Sequence, residues 1–129
     1  PAASTTAVAS PVSLRSIVRF FLAPARCGLL LSRSHLGQIA KSLGMRLPFG
    51  ARFEVAEALF TAAGESAVLG KLLQALQDEV AIWSQHYRAL AETYPHWQPV
   101  ADGWQGRLAA AARLLAEMEA TLGTTVHSP

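Results

Sequence analysis

Two heptad-spaced rows of apolar residues dominate the C-terminal half of the chain and restrict it to helical folds. The first row alternates steps of four and three through Leu69, Leu73, Leu76, Val80, Trp83, Tyr87, Leu90 and Tyr94. The second row repeats this spacing through Trp97, Ala101, Trp104, Leu108, Ala111, Leu115, Met118 and Leu122. This pattern is typical of helices that pack one apolar face against another helix.

Pro95 and Pro99 separate the two rows. A proline inside a helix removes a hydrogen-bond donor and costs about 3 kcal/mol, so a single helix through both rows is disfavoured. The sequence therefore predicts two long helices, over about 66–94 and 97–122, that fold back into an antiparallel hairpin. In this hairpin Tyr87 would lie opposite Trp104, and Tyr94 opposite Trp97.

Three shorter helices are predicted in the N-terminal half. The first begins at a Ser10 cap and ends at Pro24, the second is capped by Ser34 and closed by Gly44, and the third runs to Gly64. These helices carry every phenylalanine, at positions Phe20, Phe21, Phe49, Phe53 and Phe60. We expect them to cover the hairpin, which gives an all-α helical bundle. The predicted domain spans 10–123, with flexible tails over 1–9 and 124–129.

The single cysteine and the distribution of apolar residues bear on the compartment. Cys27 cannot form an internal disulfide, and no stretch reaches the roughly 18 apolar residues that a membrane span needs. We therefore expect a cytoplasmic protein.

Charge is strongly segregated along the chain. Residues 1–53 contain seven bases and no acid, whereas the remainder contains four bases and nine acids, a balance of +7 against −5. An acid-free segment indicates an anionic partner. The candidate anion-binding residues are Arg15, Arg19, Arg26, Arg33, Lys41 and Arg46. The alternative is that the two halves attract each other within one fold.

The segment 37–50, GQIAKSLGMRLPFG, has the beginning of a DNA-binding helix-turn-helix. Such a motif needs a recognition helix soon after the turn at Gly44. Here the next helix is delayed, carries Glu54 and Glu57, and offers only Arg52 as a base-reading side chain. The sequence therefore favours a short capped helix over a sequence-specific DNA reader.

No arrangement of residues typical of catalysis or metal binding is present in the sequence. The four histidines lack ligand spacing, and no Glu-x-x-His element accompanies them. Paired acids such as Asp78 and Glu79 are typical of a solvated helix face. We therefore predict that the protein is not an enzyme and has no metal and no cofactor.

All tryptophans and tyrosines fall within residues 83–104, around the predicted tip of the hairpin. One interpretation is a structural cluster that fixes the turn. The other is a protein-binding surface, because Trp and Tyr anchor many interfaces. The candidate protein-binding residues are Trp97, His96, Tyr94 and Trp104.

The leading functional hypothesis is a non-catalytic protein-interaction module that acts as an adaptor, an assembly factor or a self-assembling subunit, with a homodimer as one option. The second is a DNA-binding, nucleoid-associated or regulatory protein that uses its basic N-terminal half. The third is a peripheral membrane-surface binder that uses its first helix, where Phe20, Phe21 and Leu22 accompany three arginines.

Overall fold

The computed structural model describes residues 14–127, with side chains described to residue 122. This part of the chain contains six α-helices and no strand: α1 (Leu14–Leu22), α2 (Pro24–Cys27), α3 (Arg33–Ser42), α4 (Arg52–Glu65), α5 (Leu69–Thr93) and α6 (Gln98–His127). A 3₁₀ turn, Pro95–Trp97, connects the two long helices. The predicted all-helical class is confirmed. The predicted N-terminal tail and the Ser10 cap lie outside the described residues.

The N-terminal half contains one short helix that the sequence did not predict, and one predicted helix boundary there is wrong. Pro24 ends α1 as expected, but it also occupies the first position of α2, where its missing N–H costs nothing. Helix α3 is capped by Ser32 rather than Ser34, since the Ser32 hydroxyl accepts from the His35 N–H at 3.1 Å. The helix therefore starts earlier than the sequence pattern suggested.

The ends of α3 and α4 share one geometry. After α3, Gly44 adopts a φ of +75°, and the Met45 N–H bonds to the Ala40 carbonyl at 2.8 Å. After α4, Ala67 takes the equivalent position with a φ of +59°, and Val68 bonds back to Ala63. Both are Schellman motifs. The prediction that Gly64 stops the third helix is wrong, because Gly64 lies inside α4.

Only one of the two prolines between the apolar rows interrupts the helical structure. Pro95 begins the 3₁₀ turn, whereas Pro99 lies in the first turn of α6, where backbone N–H groups have no helical partner anyway. At its other end α6 continues to His127, beyond the predicted end at 122. Gly123 weakens a helix but does not stop it, and the next proline is Pro129.

Helices α5 and α6 are in contact along their lengths, and residues later in α5 contact residues earlier in α6. The Gln77 amide reaches the Ala112 carbonyl at 3.3 Å, and the Ser84 and Gln105 side chains bond at 3.0 Å. Near the tip, the predicted pairing of Tyr87 with Trp104 is confirmed as a stack with ring centroids 5.8 Å apart.

The buried face of α5 differs from the predicted apolar row at both ends of the helix. In the first half of α5 it includes residues outside the row, and at the C-terminal end it excludes residues of the row. Leu72, which lies off the row, is fully buried because α4 also packs against this part of α5. Tyr94 and Trp97, the last layer of the predicted hairpin, are both more than half exposed. They do not form a buried layer.

The phenylalanines divide between core and surface. Phe21 and Phe60 are buried and stack with centroids 6.2 Å apart, and Phe20 and Phe53 pack at the edge of the core. Phe49, in contrast, is fully exposed in the loop between α3 and α4. The expectation that all five phenylalanines cover the long helices is therefore wrong for Phe49, since Pro48 and Gly50 hold it in a loop outside any helix.

The N-terminal segment is joined to the long helices at Gly28. Its backbone approaches α6 so closely that a Cβ there would lie 2.9 Å from Leu108 Cγ. Its carbonyl accepts a hydrogen bond from the Tyr87 hydroxyl at 2.7 Å. Arg107 on α6 donates to the Ala25 carbonyl at 2.8 Å. These contacts do not extend to the turn between α5 and α6, which stays exposed.

Candidate interaction surfaces

The turn between α5 and α6 is exposed over its whole length. Every residue from 92 to 100 is exposed, including three apolar ones: Tyr94 at 57 %, Trp97 at 51 % and Val100 at 44 %. We call Tyr94, Trp97 and Val100 the aromatic tip. His96, another predicted binding residue, is exposed beside them. The structure therefore brings three of the four predicted protein-binding residues together on one accessible surface.

Trp104, the fourth predicted residue, belongs to a structural cluster instead. It is half-buried and stacked on Tyr87, and the Arg107 guanidinium lies 4.6 Å from its ring centroid. Because the Tyr87 hydroxyl also bonds to Gly28, this cluster fixes α2 against the long helices. The structural interpretation of the aromatic residues thus applies to Trp104, while the tip residues remain accessible.

Four of the six candidate anion-binding residues make contacts within the fold. Arg15 pairs with Glu57 at 3.3 Å, and both Arg15 and Arg19 lie over the Phe53 ring. Arg26 lies over Phe20, and Arg33 donates to the Gly50 carbonyl at 2.9 Å. These contacts orient the side chains but leave most of their N–H donors open to other partners.

The remaining two candidates, Lys41 and Arg46, are exposed. Among the described side chains, two contacts join the basic half of the chain to the acidic half. Arg15 forms an ion pair with Glu57, and His35 Nε2 lies 3.3 Å from Glu79 Oε1. The Arg15–Glu57 pair lies at the surface, where such pairs contribute about 0–1 kcal/mol. Glu79 is instead largely buried, with a side chain 13 % exposed, and its Oε1 has no hydrogen-bond donor among the described residues. Most of the basic charge therefore remains on the surface of the protein.

A groove between α3 and the loop before α4 was not predicted from the sequence. It encloses about 300 Å³ and is lined by Arg33, Ser34, Gly37, Leu47, Pro48, Phe49, Gly50 and Val55. We call it the basic groove, because Arg33 is the one ionisable side chain among its lining residues. The available sequence signal was Phe49 itself, a phenylalanine placed between a proline and a glycine in a loop.

The role of Arg52 was also not predicted from the sequence. Its guanidinium donates to the Leu31 carbonyl at 2.6 Å and to the Leu22 carbonyl at 2.7 Å. It therefore satisfies backbone carbonyl groups at the end of α1 and before α3, and these two bonds hold the guanidinium against the fold.

Cys27 is a buried free thiol. Burial raises the pKa of this thiol, and its Sγ accepts from the Leu29 N–H at 3.3 Å. A reactive cysteine requires exposure and a lowered pKa. Cys27 therefore acts as a small core residue.

Among the described residues, no group of three or more His, Cys, Asp or Glu side chains is placed to hold a metal ion. None of the described helices combines the length and the apolar character needed to cross a bilayer. The chain matches no protein-family model, no characterised protein and no solved structure.

Proposed function

We propose that the protein is a non-catalytic helical protein-interaction module, working as an adaptor, an assembly factor or a self-assembling subunit. In this proposal α5 and α6 form an antiparallel hairpin arm, α1–α4 cover one end of the arm, and the aromatic tip is the binding surface. The observation that carries the proposal is the accessibility of Tyr94, Trp97 and Val100 on consecutive turns of the chain.

The chemistry of the tip supports this assignment. Tyrosine and tryptophan present large, rigid apolar surfaces that also hydrogen-bond, and both are enriched at the energetic centres of protein interfaces. Exposed apolar side chains are unremarkable when single, but clustered ones are typical of interaction sites. Pro95 in the 3₁₀ turn and Pro99 in the first turn of α6 restrict the backbone at the tip, which reduces the entropy lost on binding.

The test is quantitative capture from an extract of the source organism, followed by direct binding with the purified partner. Trp97→Ala removes the largest ring of the tip. Ile82→Ala is the matched control, because Ile82 is an apolar residue of α5 with a similar exposure of 46 % that lies outside the tip. We expect the Trp97→Ala variant to bind the captured partner at least tenfold more weakly than the parent protein does. The Ile82→Ala variant should bind it with the affinity of the parent. Equal binding by all three proteins would contradict the proposal.

Nucleic-acid binding is the second candidate, and the exposed Lys41 and Arg46 in an acid-free segment favour it. It is tested by fluorescence anisotropy with a random-sequence DNA duplex at low and moderate salt. A protein that uses these bases on phosphates must lose affinity steeply as salt rises. Micromolar binding that collapses with salt and is lost in Lys41→Ala/Arg46→Ala would replace the leading proposal. We expect no such binding.

Membrane-surface binding through α1 receives less support. Val18 and Phe21, on the apolar face of α1, are fully buried against the rest of the protein. An interfacial helix needs that face for lipid. We also propose a cytoplasmic location, with which the free, buried thiol of Cys27 is compatible.

A further inference from the structure

We infer that His35 and Glu79 form a proton-dependent clasp, which ties the start of α3 to α5. The two side chains share one bound proton at acidic pH, and loss of this proton as pH rises loosens the contact. Neither residue belongs to the aromatic tip, so the clasp adds to the proposed function and does not depend on it.

The Glu79 carboxylate is buried without a hydrogen-bond donor. Its side chain is only 13 % exposed, and Oε1 is shielded from solvent and accepts no hydrogen bond from the described residues. A buried carboxylate that is ionised and unpaired is costly, and a proton or a positively charged partner removes this cost. Because His35 Nε2 lies 3.3 Å from Oε1, the imidazole is placed to supply either one.

One proton on the pair satisfies both side chains. The imidazole can carry it and form an ion pair with the carboxylate, or the carboxyl group can carry it and donate to Nε2. Groups this close titrate as a unit, so either arrangement counts as one proton bound by the pair. Once the proton is lost, the imidazole offers only an uncharged N–H, and the carboxylate keeps a buried negative charge without a counter-ion.

The other charged groups of α3, α4 and α5 near the clasp are engaged elsewhere. Arg33, on the same turn of α3 as His35, donates to a backbone carbonyl of the loop before α4, and Arg52 of α4 donates to two backbone carbonyls. Asp78, beside Glu79 on α5, is exposed and accepts from an amide side chain one turn earlier. Among the described side chains, no Lys or Arg lies within 4 Å of the Glu79 carboxylate, and no second acid lies that close to the His35 imidazole.

Helix α6, which also packs against α5, supplies no counter-ion either. Its Glu119 carboxylate is approached by the Gln77 amide at 3.5 Å, and its Arg107 donates to the Ala25 carbonyl. The positive charge available to Glu79 in the described part of the chain is therefore the proton shared with His35. The stability that this proton adds is present at acidic pH and is lost as pH rises.

The clasp acts on the wall of the basic groove. His35 lies in the first turn of α3, and its neighbours Arg33 and Ser34 line the groove. Further along α3, Leu36 and Ile39 are buried in the core and hold the helix in place. Loss of the proton therefore loosens the first turn of α3, and with it one wall of the groove, without unfolding the helix.

The test is a double-mutant cycle at two pH values. Urea unfolding of the full chain is measured for the parent, His35→Gln, Glu79→Gln and the double variant at pH 5.5 and pH 8, which bracket the usual titration range of an imidazole. We expect the interaction between the two side chains to favour the folded state by about tenfold at pH 5.5 and by less than about threefold at pH 8. All four proteins are compared at the same pH, so the titration of other groups cancels.

His86 provides the matched control, because it is an exposed histidine on α5 that packs against the Trp83 ring and has no acid within 4 Å among the described side chains. A cycle of His86→Gln with Glu79→Gln is expected to show no interaction at either pH. An interaction between His35 and Glu79 that is equal at the two pH values would overturn the inference. Its absence at pH 5.5 would do the same, as would an equal pH-dependent interaction in the control cycle.

Hydrogen exchange of the parent gives a second test that does not depend on the variants folding. After correction for the intrinsic effect of pH on exchange, the amides of residues 35–38 are expected to open at least about threefold more often at pH 8 than at pH 5.5. Amides of α5 around the control residue His86 should not change. Equal opening of the start of α3 at both pH values would overturn the inference.

Discussion

Gly28 and Cys27 are the residues on which the junction between the N-terminal helices and α6 depends. Gly28 combines a left-handed backbone, φ +78°, with a close approach to Leu108, two conditions that only glycine meets without strain. Cys27 fills the space beside it with a small buried side chain. Neither residue can be assigned this role from the sequence, because the close approach depends on a helix eighty residues further along the chain.

Gly28→Ala is therefore expected to destabilise the protein by about 2–4 kcal/mol. The backbone strain contributes about 1 kcal/mol or more, and the remainder comes from the clash of the new Cβ with Leu108 Cγ at 2.9 Å and Leu108 N at 3.1 Å. Urea unfolding measures the change. Gly106→Ala on α6 is the control, since nothing lies within 4 Å of its added Cβ; it should be neutral or stabilise by up to about 1 kcal/mol. Equal effects of the two substitutions would refute the role of Gly28.

The buried thiol of Cys27 predicts a loss of stability at alkaline pH. Burial raises the pKa of Cys27 in the folded protein above the ordinary thiol value of 9.0, so the unfolded chain ionises first. The corresponding stability is present below pH 9 and is lost as pH rises beyond it. Burial also raises the pKa of Tyr87, which acts in the same direction at higher pH.

Cys27→Ser separates the two groups, because serine is close in size, does not titrate in this range and leaves Tyr87 in place. The free energy of unfolding of the parent, measured from pH 7 to 10, should fall more steeply than that of Cys27→Ser. Parallel curves would show that Cys27 is not responsible.

At the scale of the helices, local hydrogen bonding determines where each helix ends more than the presence of typical cap residues such as glycine and serine does. Gly44 ends α3 as the sequence predicts, but Gly64 does not end α4, and Ala67 adopts the left-handed position three residues later. Similarly, Ser32 rather than Ser34 caps α3. Both serines suit a cap, and which one is used depends on where packing of Leu36 and Ile39 places the helix. Sequence therefore predicts the presence of these helices but not their limits.

The paired Schellman motifs after α3 and α4 give a matched prediction. Ala67→Gly should stabilise the protein by about 1 kcal/mol, because glycine adopts this left-handed conformation without the cost that alanine incurs. Gly44→Ala should destabilise it by a similar amount, since no atom within 4 Å of the added Cβ adds a steric effect. Thermal unfolding compares both with the parent. Changes of the same sign in the two variants would contradict this account of the helix ends.

At the scale of the whole molecule, the periodic part of the chain was the most predictable. Heptad spacing gave the two long helices and the pairing of Tyr87 with Trp104, because long rows of apolar residues leave little freedom in which face is buried. The same pattern wrongly extended the buried face to Tyr94 and Trp97, since periodicity does not show where covering helices stop. The basic groove was missed because its lining comes from α3, a loop and α4, and only tertiary packing brings them together.

The central claim, that the aromatic tip is a protein-binding surface, is tested most directly by photo-crosslinking in the cell of origin. The photoreactive residue p-benzoyl-phenylalanine replaces Trp97 in one protein and Ile82 in another, so that two apolar sites of similar exposure are compared on one molecule. We predict a discrete crosslinked protein species from position 97, either a second copy or another protein, that position 82 does not give. Equal or absent crosslinking at both positions would contradict the claim.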